Sequence, residues 1–544
     1  MLTNGSIIIY FVLLLAAMPN AGSAQVNGRL RSGPQEPQVM SWRNLHARQM
    51  LATDPKPDPM RLSELQRLHR PEGKGGGTHC PTAGVLRSLV DTFLATPNPN
   101  FPGLGSTVPG TSVSWTAPGC GTFNYAAGLR NVESNKLLTP ATPMGIASMT
   151  KPIIAAVTLK LNEAGVFGPS GLDTKVDQLL THHQIRALTV GNDPQQPRCP
   201  GVTYLWDRDT FTFDLMSYSC PDLSRVTLRD LMRSNHGMYD FLNEVALPNG
   251  NWQYGDSVYF DLYQLLGLDP VRPVSSRNGY DYMKAYGLKA SNTAVVGGTN
   301  GRDFEDSLGN TGFQLLGIIL ETRTGKSLDE LIRTMIVEPL RLDPINVYLD
   351  PIKQQNRIAD SYDIFTGEPL IEQTGVYPLV NLNGHTAVNT LSFGLGRPGN
   401  INLAGGAGSL IANPKSYQAF LDSFVNGGLL GVGGQYELDN SFVKIPGPGE
   451  PGITFYNGFG IAKIKVRGFA PTGDVDIYQH NGSLPGILCE DAVVRLPDSN
   501  ITLATGVICQ NSHYNAFPDQ FDLLVKFIHE FAKANAARST LQTK

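Results

Sequence analysis

Ile146-Ala147-Ser148-Met149-Thr150-Lys151-Pro152 leads into Ile153–Ala164, where apolar residues recur at helical spacing as far as Gly165. Ser148 and Lys151 are three residues apart, so a helix places both on one face with the amine in reach of the hydroxyl. That pairing answers a chemical need. A serine hydroxyl is a weak nucleophile until a neighbouring base takes its proton, and a desolvated lysine with a lowered pKa can be that base. The start of a helix adds unpaired backbone N–H groups and the positive end of the dipole, both favourable to a developing anion. Pro152 fits only in a first turn, which sets the helix start near Ser148. Taken alone, Ser-x-x-Lys is also what an N-cap serine and a solvated lysine would show.

Outward from this segment the pattern is that of a folded domain. Ala83–Ala95 reads as a helix, and Gly110–Trp115 and Thr122–Leu129 alternate as strands. Near the other end, strands are predicted over Gly458–Val466, Asp474–His480, Ile487–Leu496 and Ile501–Ile508, ahead of a helix over Asp519–Ala536. Strands at both ends around a helical, loop-rich middle predict an α+β fold: one sheet assembled from both chain ends, plus a second, helical lobe. Residues 25–79 are rich in Arg, Pro and Gly and read as a leader or linker with one short helix around Leu62–Leu68. The Gly73–Gly77 run is not a phosphate loop, because no Gly-Lys-Ser/Thr follows a strand. Ile7–Met18 is apolar and is followed by Gly22-Ser23-Ala24, so residues 1–24 read as a signal peptide. Residues 1–6 carry no Lys or Arg, and an uncleaved N-terminal anchor is the alternative reading. The folded domain is then 80–537, with 538–544 as a tail.

Composition narrows the partners. The 544 residues carry 43 Lys+Arg against 47 Asp+Glu, a net −4 without long runs of either sign, which argues against a nucleic-acid groove or a polybasic membrane patch. The 58 Gly and 38 Pro imply turns and long loops, not a bundle or coiled coil. After residue 24 no stretch is long and apolar enough to be a transmembrane helix. Six cysteines behind a signal peptide favour disulfides, and none lies in a C-x-x-C pair. A hairpin turning around Ser499 sets Cys489 opposite Cys509. Cys199 with Cys220, and Cys80 with Cys120, are suggested by proximity in sequence alone. His182-His183 lacks a third ligand at zinc spacing and reads as a solvated pair. Of the two sequons after residue 24, Asn481-Gly-Ser and Asn500-Ile-Thr, the second sits on a predicted turn and reads as the better glycan acceptor.

In this context Ser148-Met149-Thr150-Lys151-Pro152 resembles the nucleophile motif of the serine beta-lactamase-like family, which includes class C beta-lactamases, D,D-carboxypeptidases and family VIII carboxylesterases. Val226–Gly237 resembles that family's helix and turn, with His236 where Ser is common. Asn310-Thr-Gly-Phe-Gln-Leu-Leu-Gly317 is similar to the segment after the second motif, Gly405-Gly-Ala-Gly-Ser-Leu410 to a glycine-rich turn, and Tyr456-Asn-Gly-Phe-Gly460 to a site-lining strand. His480-Asn481-Gly482 resembles the third motif, where the strand edge holds one side of the substrate. There the glycine lets a substrate backbone approach, and His480 offers a hydrogen bond or a charge. The resemblance spans about residues 85–535 and implies a beta-lactamase/transpeptidase-like α/β sandwich. It implies two-step acyl transfer on a small-molecule or peptide substrate, with Ser148 and Lys151 catalytic, Asn310, His480 and Gly482 binding substrate, and no metal or organic cofactor. It implies nothing about oligomeric state. The second motif departs: the family's Tyr (or Ser) is Leu308 here, ahead of the retained Asn310. Leucine cannot relay a proton. Three consequences stay open: Lys151 is the sole base, His480 or a nearby tyrosine assists, or catalysis is impaired.

Overall fold

A computed structural model describes residues 80–97, 105–190, 201–207, 212–238, 244–245, 283, 288, 290–291, 309–343, 347–348, 357–364, 379–389, 405–445, 452–469, 473–484, 486–497, 501–512 and 520–542. Among them, ten strands form one antiparallel sheet. Its order is Val443–Ile445, Ile453–Asn457, Ala462–Phe469, Gly473–Gln479, Ile487–Arg495, Thr502–Gln510, Gly110–Ala117, Gly121–Asn131 and Lys136–Leu137, with Asn481–Leu484 also paired to Ile487–Arg495. The sheet is therefore built from both chain ends, joined where Val113 lies opposite Ile508.

Alternation along the central strands explains how this sheet is covered. Cys489, Val493, Val507 and Cys509 face the core that holds the Lys151 helix (Thr150–Glu163), while Ala492, Val494, Ala504 and Ile508 face the terminal helices Ala83–Ala95 and Gln520–Gln542. A strand buried on both faces needs apolar residues at nearly every position, which is why residues 487–494 read as a continuous apolar run broken only by Glu490-Asp491. On the terminal-helix side Trp115 stacks on Phe527 and Phe531 at centroid distances of 5.3 and 5.6 Å. Gly506 makes room for that indole, since a Cβ there would lie 2.0 Å from the ring.

Two expectations change. The strand predicted over Gly458–Val466 is interrupted: Ile453–Asn457 and Ala462–Phe469 are joined by a tight turn in which Gly458 N–H donates to Ile461 O (2.9 Å) and Gly460 adopts φ +64°. The turn packs on the Lys151 helix so closely that a Cβ on Gly460 would be 2.9 Å from the Lys151 carbonyl. The middle of the chain is also not purely helical. Gly201–Asp207 and Thr212–Ser219 form a hairpin, and Tyr362–Ile364, Leu379–Leu382 and His385–Asn389 form a small sheet.

Cys489 lies directly opposite Cys509 and is bonded to it, Cys80 is bonded to Cys120, and Cys220 is disulfide-bonded. Cys199, the signal segment 1–24 and the leader 25–79 lie outside the described residues. No described helix is long and apolar enough to cross a membrane.

Candidate active site

The chain approaches the Lys151 helix through a short 3-10 turn, Ala147–Met149. Ala147 has φ +48°, a left-handed conformation that costs a non-glycine residue on the order of 1 kcal/mol or more. Surrounding bonds hold it there. Thr150 Oγ1 donates to Ala147 O (2.7 Å) and accepts from Leu410 N–H (3.0 Å), and Ile146 N–H donates to Leu410 O (3.1 Å). The consequence is exposure of a single side chain: from Thr142 to Leu159 every residue is buried except Ser148.

Lys151 is 3% exposed and lies beneath that serine. Its Nζ donates to Ser148 Oγ at 2.7 Å, to Asn310 Oδ1 at 2.8 Å and to the Ala407 carbonyl at 3.1 Å. Two of these acceptors are delivered from far along the chain. Asn310 opens the helix Asn310–Thr324 after Gly309, whose φ of +73° and proximity to Ser234 Oγ (2.1 Å from a Cβ built there) require glycine. Ala407 sits in the 3-10 turn Gly405–Ala407, pinned where Gly406 N–H donates to Gln314 Oε1 (3.0 Å). A neutral lysine amine has two N–H groups and one lone pair. With the N–H groups directed to Asn310 Oδ1 and Ala407 O, the lone pair is left for the Ser148 hydroxyl proton, and the nitrogen need not move when it gains that proton.

The third side is the strand edge His480-Asn481-Gly482. Glycine at 482 admits the chain's own backbone: a Cβ would lie 2.0 Å from the Ile146 carbonyl. That close approach docks the strand against the Ser148 turn. His480 is 3% exposed, with Nδ1 2.6 Å from Asn481 O. Burial lowers its pKa to about 3, so the ring is neutral and the charge considered from sequence is not available. Asn481 is buried within its strand, leaving no room for a glycan. Leu308 and Asn500 lie outside the described residues.

His236 is fully enclosed. Its Nδ1 accepts from Met238 N–H (3.1 Å), Nε2 has no hydrogen-bond partner among the described residues, and burial lowers its pKa to about 3. The ring fills the space above Gly312, where a Cβ would be 2.7 Å from it. His182 and His183 are exposed, and no His, Cys, Asp or Glu group among the described residues is arranged for a metal.

Sequence reasoning missed the Ala407 carbonyl, although its glycine-rich turn was visible. It also missed two buried groups behind the site. Tyr417 OH donates to Met149 O at 2.9 Å, and His480 N–H donates to Asp491 Oδ1 at 2.6 Å. An aspartate inside an otherwise apolar strand was the available signal, since such a group must find partners.

The sequence profile described as Beta-lactamase matches residues 86–514. The chain belongs to the beta-lactamase family. No curated protein matches it in sequence. Among solved structures it is similar to the D-amino acid amidase of Ochrobactrum anthropi SV3 in complex with L-phenylalanine, at 17% identity and TM-score 0.54, over 84% of this chain and 100% of that one. It is also similar to the D-stereospecific amidohydrolase of a Streptomyces species, at 18% identity and TM-score 0.50 over 82% and 98%. A penicillin binding protein from Bacillus halodurans is similar at 15% identity and TM-score 0.51 over 81% and 98%. At these identities the likeness is one of fold, the beta-lactamase/transpeptidase-like architecture with its sheet drawn from both chain ends.

Proposed function

We propose that this beta-lactamase-family protein is an exported serine hydrolase that cleaves a small ester, amide or peptide through an acyl-enzyme. Ser148 Oγ attacks the carbonyl carbon while its proton passes to Lys151 Nζ. Backbone N–H groups, that of Ser148 among them, stabilise the oxyanion, and the lysine returns the proton to the leaving group. Water then cleaves the Ser148 ester. Asn310 keeps Lys151 in place, and the His480-Asn481-Gly482 edge borders the substrate. The observation that supports this reading most is the 2.7 Å contact between Lys151 Nζ and Ser148 Oγ, made on the one side chain of a buried run that reaches the surface. Disulfides at Cys80–Cys120 and Cys489–Cys509 support export through an oxidising compartment, with residues 1–24 as signal, 25–79 as leader and the domain at 80–537.

Leu308, in place of the family's second-motif tyrosine, favours a second reading: a catalytically impaired descendant that keeps the cleft for binding. Loss of one acid/base contributor typically costs ~10²–10⁴-fold. The test is a panel of short-chain nitrophenyl esters, a chromogenic cephalosporin and D-amino acid amides, assayed with wild type and Ser148→Ala. Turnover of any member that disappears in the variant supports the hydrolase. Equal rates for both proteins on every member support the binding protein.

A further inference from the structure

Behind the Ser148–Lys151 pair, on the side away from solvent, two buried side chains join the turn that carries Ser148 to the strand edge that faces it. Tyr417 comes from the helix Pro414–Val425 and is 1% exposed, and its hydroxyl donates to the carbonyl of Met149, the residue next to Ser148. Asp491 comes from the central strand Ile487–Arg495 and is 0% exposed, and its Oδ1 accepts the backbone N–H of His480. The Asp491 carboxyl lies near enough to the Tyr417 hydroxyl to influence its ionisation, and its Oδ2 has no hydrogen-bond partner among the described residues. The two walls also meet sterically where Gly482 packs against the Ile146 carbonyl. That contact limits how closely the walls approach, while the two hydrogen bonds act against their parting.

We propose that Tyr417 and Asp491 are positioning residues that set the separation and register of the Ser148 turn and the His480–Gly482 edge; the inference rests on the hydrolase reading above. Neither side chain reaches the cleft. Each acts through a backbone group, Tyr417 on the Met149 carbonyl and Asp491 on the His480 amide. The two observed bonds run from His480 N–H to Asp491 Oδ1 and from Tyr417 O–H to Met149 O, and a proton on Asp491 Oδ2 gives that buried oxygen a hydrogen to direct toward the nearby Tyr417 oxygen. Asparagine can reproduce the same pattern, with its carbonyl oxygen for His480 and its NH₂ for Tyr417, whereas alanine leaves the His480 amide and the tyrosine without that partner. Both walls carry groups that must meet one carbonyl, so a shift of about 1 Å between them costs on the order of 10²-fold in rate.

The experiment measures the second-order rate of Ser148 modification by a small alkyl fluorophosphonate, together with the melting temperature. The proteins compared are wild type, Tyr417→Phe, Asp491→Asn and Asp491→Ala. Thr174→Val is the control, because it removes a buried hydroxyl-to-carbonyl bond of the same kind (Thr174 Oγ1 to Phe167 O, 2.9 Å) away from the site. The expected result is a fall of at least about tenfold in Tyr417→Phe and Asp491→Ala, a rate within about threefold of wild type in Asp491→Asn, and no change in Thr174→Val despite a similar loss of melting temperature. Wild-type rates in Tyr417→Phe and Asp491→Ala, with only their melting temperatures lowered, would overturn the inference while leaving the hydrolase reading intact. If Asp491→Ala does not fold, Tyr417→Phe, which removes a single oxygen, decides. Absence of any adduct on wild type would overturn the hydrolase reading and this inference with it.

Discussion

Lys151 stands between three acceptors, and its replacement isolates its role. Lys151→Met keeps the length of the side chain but removes the proton acceptor, and is expected to lower the rate of Ser148-dependent ester cleavage by ~10²–10⁴-fold, with binding of a non-reactive ester analogue, read by calorimetry, changed far less. Asp491 makes a separate, thermodynamic prediction. Burial pushes its carboxyl up from 3.8 to about 8, against the stabilising His480 N–H and the neighbouring Tyr417 hydroxyl. Between those values the folded protein holds a proton that the unfolded chain has lost, so stability from this group falls as pH rises, by about 1.4 kcal/mol per unit. His236 and His480 act in the opposite sense: held down to about 3 from 6.5, they add stability as pH rises through that window. Together the three predict stability that climbs to about pH 6.5 and then declines toward pH 8. Urea unfolding at stepped pH should show the upper decline in wild type and its loss in Asp491→Asn; a decline of equal size in both proteins would exclude Asp491 as its source.

At the scale of elements, the site depends on how closely backbones approach. Gly482→Ala places a methyl group where the Ile146 carbonyl lies, so the Asn481–Leu484 strand must move off the Ser148 turn. The expected cost is about 1–3 kcal/mol in stability together with slower phosphonate labelling of Ser148, read by denaturation and mass spectrometry; labelling at the wild-type rate would show that the contact does not shape the site. Elements with their own periodicity were legible in the sequence. The helix Ala83–Ala95 has the predicted bounds, and the strands Gly473–Gln479, Ile487–Arg495 and Thr502–Gln510 lie within two residues of theirs. The break at Gly458–Gly460 carried a local turn signal in Asn457-Gly458 and Gly460, but its packing against the Lys151 carbonyl is set by the tertiary fold and was not legible. The Ser148–Lys151 pair was readable as a local spacing. Ala407 O, 256 residues from Lys151 in the chain, carries no side-chain signature, and Tyr417 and Asp491 acquire their partners only through packing across the sheet.

For the molecule as a whole, one sheet with two covered faces explains how widely separated segments form one cleft. The terminal helices buttress the sheet from behind and the Lys151 helix occupies the other face, so damage at the back should lower stability more than chemistry. Phe527→Ala, which unstacks Trp115, is expected to cost about 3–5 kcal/mol, measured by chemical denaturation, with the labelling rate of the folded protein near wild type. Loss of Cys489–Cys509, which ties the two central strands, is expected to cost about 2–4 kcal/mol on the same measurement. Stability losses under 1 kcal/mol in both variants would contradict the load this account assigns to that face and to the central strands. The central claim, a nucleophilic Ser148 activated by Lys151, is tested most directly by intact-mass analysis after exposure to a broad fluorophosphonate. One adduct is expected on wild type, located at Ser148 by peptide mapping, with none on Ser148→Ala and strongly slowed formation on Lys151→Met. A wild-type protein that gains no adduct, or one that gains the same adduct after Ser148→Ala, would contradict it.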